Sequence, residues 1–191
     1  SSPVQTISGG TNWKTVSGGD AHTAAIKIDG TLWMWGSNSS GQLGDNTIAA
    51  KSSPIQTIAS GTNWKQVACG WLFTTAIKTD GTLWTWGNNA NAELGDNTLV
   101  KTSSPIQTIA GGTNWKQVST NGSFSGAIKT DGSLWVWGYN PNGQLGDNTR
   151  TNKSSPVQTV ASGYNWKQVS PSYSNLVAIR DQSADIFGDS L

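Results

Sequence analysis

One short motif recurs along the chain without drift in spacing. "TNWKTVSGG" at Thr11–Gly19 returns as "TNWKQVACG", "TNWKQVSTN" and "YNWKQVSPS", so Trp13, Trp64, Trp115 and Trp166 stand 51 residues apart. A period of about 50 residues excludes most single-core folds and points to a solenoid, a propeller or another array. Each repeat cannot bury its apolar face alone, so the units must stack.

The content of one unit separates these options. "WKTV" is a short apolar-edged run and "HTAAIK" a second. Asp29–Gly30 is a two-residue hairpin turn, favoured because both central positions need positive φ. "TLWMWG" is a third strand with alternating faces. After the loop "SNSSGQLGDNTIAAK" comes "SSPIQTI", whose Pro54 suits a strand start or edge. Four short antiparallel strands (A to D) without helical periodicity describe one propeller blade.

The residues Trp33, Trp35 and Gly36, with "GQLGD" at Gly41–Asp45, "AELGD" at Ala92–Asp96 and "GQLGD" at Gly143–Asp147, resemble the regulator-of-chromosome-condensation repeat family. The likeness covers essentially the whole chain. It implies an all-β propeller, commonly seven-bladed, in a family with uses as different as nucleotide exchange on a small GTPase, chromatin binding, ultraviolet sensing and β-lactamase inhibition. Such a fold does not fix a function.

Strand order predicts four blades in one repeat domain, 1–191: blade 1 at 13–58, blade 2 at 64–109, blade 3 at 115–160 and strands A to C of blade 4 at 166–188. The missing strand D of blade 4 is expected at Ser1–Ile7. That strand would latch the last blade in cis, giving a four-bladed ring, or in trans, giving a head-to-tail ring or filament. A fragment of a longer propeller is the third option.

Composition narrows the function classes. Lys+Arg 12 against Asp+Glu 11 leaves a net charge of +1, without the basic footprint of a nucleic-acid binder. The single Cys69 excludes an intrachain disulfide or a cysteine metal cluster. No apolar run approaches the ~20 residues that span a bilayer, so membrane insertion is not expected.

The pairs Trp33/Trp35, Trp84/Trp86 and Trp135/Trp137 lie at i, i+2 and so on one strand face. Because every full blade carries them, they are expected to pack between blades. The family's light-sensing signature, an aromatic followed by Arg-His-Thr, is absent: Leu72 and Phe73 follow Trp71. Each "LGDNT" loop brings one carboxylate, Asp45, Asp96 or Asp147, which is too few for calcium. These are expected to cap turn amides. His22 is the only histidine and gives way to Phe73, Phe124 and Asn175 in sister repeats. Neither a catalytic set nor a cofactor or metal site emerges, and a non-enzymatic chain is expected.

The repeats also serve as their own controls. The B–C turns ("DGT", "DGT", "DGS") and D–A loops hardly vary, whereas the A–B and C–D loops vary freely. In an up-and-down blade those two variable connections emerge on one face. His22, Trp71, Phe73, Phe124, Tyr139, Arg150 and Tyr173 are the expected contact residues there, since aromatics and Arg anchor interfaces. The function expected first is recognition of a protein or glycan at a cell or virion surface. The Asn/Thr/Ser-rich style resembles bacterial and phage versions of the repeat, although a cytoplasmic setting also fits. Head-to-tail assembly through Ser1–Ile7, and guanine-nucleotide exchange or chromatin adaptation by family analogy, are the alternatives.

Overall fold

The computed structural model describes residues 10–161, 163–172 and 175–181. Among them are three four-stranded antiparallel sheets, each with its strands in chain order. Blade 1 consists of β1 (Trp13–Gly18), β2 (His22–Lys27), β3 (Leu32–Gly36) and β4 (Lys51–Gln56). Blade 2 has β5 (Trp64–Cys69), β6 (Phe73–Lys78), β7 (Leu83–Gly87) and β8 (Thr102–Gln107), and blade 3 has β9 (Trp115–Asn121), β10 (Phe124–Lys129), β11 (Leu134–Gly138) and β12 (Lys153–Gln158). Of blade 4, β13 (Trp166–Pro171) pairs with β14 (Leu176–Arg180). The expected latch at Ser1–Ile7 and strand C of blade 4 fall outside the described residues.

A detail of strand A explains how one blade meets the next. In "WKQV" the Trp and Val are three apart, which in a regular strand would send them to opposite faces. A register shift between Trp64 and Gln66 inserts Lys65 as an extra residue. This bulge turns Trp64 and Val67 to the same side. The shift recurs beside Trp13, Trp115 and Trp166.

The core is therefore a series of inter-blade layers. Ala24, Ile26, Leu32 and Met34 of blade 1 meet Trp64, Val67 and Trp86 of blade 2. Ile77 and Leu83 meet Trp115, Val118 and Trp137, and Ile128 and Leu134 meet Val169 of blade 4. Polar bonds complete each layer. The B–C turn carbonyl of Gly30 accepts from Trp64 N, and that of Gly81 accepts from Trp115 N (3.0 Å each).

Within the tryptophan pairs the two positions differ. Trp86 and Trp137 are buried, and their indole N–H groups donate to Gln42 O and Glu93 O of the preceding blade (2.9 Å each). Trp84 and Trp135 are half-buried under the ammonium groups of Lys78 and Lys129, at 4.3 and 4.1 Å. Trp33 lies likewise under Lys27, and Trp35 is half-buried against Trp13.

The two ends of the array differ from its middle. Val16 of blade 1 is 72% exposed, whereas its counterparts Val67, Val118 and Val169 are buried. At the other end Ile179 is 57% exposed, whereas Ile26, Ile77 and Ile128 are fully buried. Across the described residues the array thus has an open rear face on blade 1 and an open forward face on blade 4.

Candidate functional site

The C–D loops owe their shape to one buried asparagine per blade. Asn38 Nδ2 donates to Asp45 Oδ1, Thr47 O and Ala49 O, while its Oδ1 accepts from Leu43 N. Asn89 and Asn140 repeat the set. The sequence signal for this bonding role is an Asn two positions after each "WG" glycine.

Each loop aspartate bonds the turn that follows it. Asp45 accepts from Thr47 N and Oγ1, and Asp96 and Asp147 accept from Thr98 and Thr149 in the same way. Lys51 and Lys153 pair with Asp45 and Asp147 at 3.3 and 3.1 Å. Among the described residues no group of three His, Cys, Asp or Glu could hold a metal.

The same loops dock one blade on the next, which the sequence did not reveal. Asn46 N donates to Ser103 O of blade 2, and Asn97 N to Ser154 O of blade 3 (2.9 and 2.7 Å). A Cβ on Gly44 would lie 2.8 Å from the Trp86 indole nitrogen, so only glycine lets the loop lie on that ring.

Three of the expected contact residues prove to be core. His22, Phe73 and Phe124 are buried at the entry of strand B and point beneath the loops instead of out of them. Glycines roof the first two: a Cβ on Gly19 would lie 2.4 Å from His22 Cε1, and one on Gly70 2.0 Å from Phe73 Cε1, whereas Asn121 holds that position before Phe124. His22 Nε2 bonds Thr74 Oγ1 of the next blade at 3.0 Å. Burial lowers the His22 pKa to about 4 against the opposing pull of Asp20, so the ring is neutral at pH 7. Cys69 is also buried, and burial pushes its thiol up to about 12, which removes it as a nucleophile.

Trp71 and Tyr139 remain at the surface, 41% and 38% exposed. They flank a cleft of ≈ 430 Å³ between blades 2 and 3 on the A–B/C–D face. Phe124 and Ser123 are part of its lining, together with the carboxamides of Asn91, Asn142 and Gln144, and no charged side chain among the described residues lines it. Trp71 N donates to Gly122 O, and Tyr139 N to Ser123 O, which ties both aromatics to the A–B loop of blade 3 (2.9 and 3.0 Å). Arg150 is exposed further along the same C–D loop and lines a separate, shallower depression with Asn142 and Asn148. Tyr173 lies outside the described residues. The structure thus brings Trp71, Tyr139 and buried Phe124 to one cleft, and sets His22, Phe73 and Arg150 apart from it.

Comparison with known proteins follows the repeat. The model of the regulator of chromosome condensation (RCC1) repeat matches residues 29–77, 80–128 and 131–179, and a second model of that repeat matches 13–42, 64–92 and 115–144. The RCC1 domain-containing protein RUG3, mitochondrial, of Arabidopsis thaliana is 34% identical over 149 residues, which are 73% of this chain and 33% of that protein. The ultraviolet-B receptor UVR8 of the same plant is 33% identical over 147 residues, 76% of this chain and 33% of the receptor. The chain thus spans about a third of the length of these relatives. Among solved structures, human WBSCR16 superposes with a TM-score of 0.81 at 22% identity, over 94% of this chain and 47% of its own. Yeast RCC1 (Prp20), solved bound to Kap60, gives 0.80 at 19% identity, over 91% and 44%. These two likenesses establish the fold.

Proposed function

We propose, of a chain that belongs to the regulator of chromosome condensation repeat family, that it is a non-enzymatic binding module whose A–B/C–D face recognises a protein or a glycan. One observation carries the reading. Trp71 and Tyr139 flank a single inter-blade cleft, at positions where the sister repeats have Asp20, Gly122 and Tyr173, and Ser37 and Asn88. The blade framework recurs around them, whereas the pairing of these two side chains across one cleft is seen, among the described residues, between blades 2 and 3. A neutral buried histidine and a buried thiol with a raised pKa give the face no evident nucleophile or base. Of the relatives compared, one is named as mitochondrial; an exported or virion-surface setting draws no support from these names.

The test is binding by the wild-type chain and a Trp71→Ala/Tyr139→Ala variant to arrayed proteins and glycans. The variant should keep its melting temperature and lose the wild-type signals. Undiminished signals in a folded variant would remove the cleft from recognition.

A second reading, head-to-tail assembly, is favoured by the open ends. The exposed Val16 face of blade 1 and the exposed Val177 and Ile179 of blade 4 correspond to the two halves of each internal layer. Docking them in trans would bury apolar surface that the internal layers already bury. Light scattering across a hundredfold dilution should then give a mass above 20.1 kDa, reduced by Val16→Asp. A constant monomer would end this reading.

A further inference from the structure

Gln144 has no counterpart in its bonding among the other blades. Its Oε1 accepts from Asn142 N at 3.0 Å, as Gln42 Oε1 accepts from Ser40 N in blade 1. In blade 1 the other end of the carboxamide is also used, since Gln42 Nε2 donates to Ser37 Oγ at 3.4 Å. In blade 2, Glu93 Oε1 accepts from Asn88 Nδ2 at 2.8 Å. Blade 3 places Tyr139 where Ser37 and Asn88 stand. Gln144 Nε2 consequently donates to no described residue, although Gln144 is only 8% exposed and lines the cleft. This donor is not sealed from solvent but opens into the cleft, where water or a ligand supplies its acceptor. The single change to tyrosine thus frees a fixed amide donor and sets an aromatic ring beside it.

The chemistry of the surroundings limits what can use this donor. Among the described residues no charged side chain lines the cleft, and these residues offer nothing specific to a phosphate, a carboxylate or an ammonium group. It has two exposed aromatic rings and further carboxamides from Asn91 and Asn142. Asn91 Nδ2 is engaged by Glu93 Oε1, whereas Asn142 is exposed. A pyranose ring has the matching character: an apolar C–H face that lies on an aromatic ring, and a rim of hydroxyls that both donate and accept. Carboxamides are suited to that rim because each offers a donor and an acceptor side by side. The cleft volume of ≈ 430 Å³ falls in the range of small-ligand sites.

We infer that the cleft between blades 2 and 3 is a binding site for a neutral sugar ring, with Trp71 and Tyr139 as the aromatic walls and Gln144 Nε2 as the donor to a ring hydroxyl. This rests on the reading that the variable face is a recognition surface, and narrows its ligand to a glycan.

Saturation-transfer NMR with the methyl glycosides of glucose, galactose, mannose and N-acetylglucosamine tests it directly. The wild-type chain should give transfer to the C–H protons of at least one of them. Tyr139→Ser restores the blade 1 pairing, giving Gln144 Nε2 an acceptor within the protein, and should weaken that sugar at least about tenfold without loss of fold. Trp71→Asp, the blade 1 residue at that position, should do the same. Trp84→Ala, remote from the cleft, should leave sugar binding unchanged in whatever fraction folds. No transfer to any of the four sugars, or transfer unaffected by Tyr139→Ser, would overturn the sugar assignment. The broader reading is tested separately: an arrayed protein bound by wild type and lost in Trp71→Ala/Tyr139→Ala would uphold the recognition face while the sugar assignment falls.

Discussion

Trp84 and Trp86 are two positions apart in sequence and far apart in consequence. Trp86 is enclosed between blades and bonded to Gln42 O, whereas Trp84 lies half-buried under Lys78. Trp86→Ala should therefore cost about 3–5 kcal/mol in denaturant unfolding, and Trp84→Ala roughly 1–2 kcal/mol. Equal losses would mean that the inner and outer positions are not distinct. His22 supplies a prediction in pH. Its folded pKa of about 4 lies below the ordinary 6.5, because burial disfavours the charged ring. Between those values the unfolded chain holds a proton that the folded chain lacks, so stability is complete above pH 6.5 and falls as the pH drops towards 4. Burial alone would raise the carboxyls of Asp45 and Asp147, but bonds from Thr47 and Thr149, with Asn38, Asn140 and the two lysines, hold them below 3.8. Their effect therefore falls at more acid pH. His22→Phe, the residue of blades 2 and 3, should flatten the melting temperature across the His22 window; an unchanged slope would assign it to another group.

At the scale of the strand and turn, most of the fold was legible. The 51-residue period and the alternating "LWxWG" strands follow from side-chain period, and Asp-Gly marks the B–C turns. These turns are not the two-residue hairpins expected: Gly30 N bonds Lys27 O and Lys27 N bonds Thr31 O, so the loop spans residues 28–30, with positive φ at Gly30 and not at Asp29. What was not legible was the extra residue in strand A, since only pairing to strand B exposes a bulge. Nor did the constancy of the B–C turns reveal its cause. The structure supplies it: a Cβ on Gly81 would lie 2.1 Å from Thr113 O in the next D–A loop, at a φ of +80°. Both loops are fixed because they touch each other. Gly81→Ala should accordingly lower the melting temperature markedly, by strain at positive φ and by prying blades 2 and 3 apart. A neutral result would show that the turn can withdraw without loss. The site was legible only in part. Loop comparison pointed to the face that carries the cleft, but it could not tell Phe73 and Phe124, which enter the core, from Trp71 and Tyr139, which do not. Gln144 passed unnoticed because its sequence position matches Gln42; only its missing partner sets it apart.

At the scale of the molecule, the proposed function assigns the two faces of the array different work. The B–C and D–A connections bind blade to blade. The A–B and C–D loops share that task through Gly44 and Asn46, yet still present Trp71, Tyr139 and Gln144 around one cleft. Such a division suits a scaffold whose stability and recognition are set by different residues. Hydrogen exchange measured with and without the ligand selected from the arrays tests this most directly. The account predicts added protection at the backbone amides of residues 71, 123–124, 139–140 and 142–144, with the turns at 29–31, 80–82 and 131–133 unchanged. Protection centred on those turns, with the cleft amides unaffected, would contradict it.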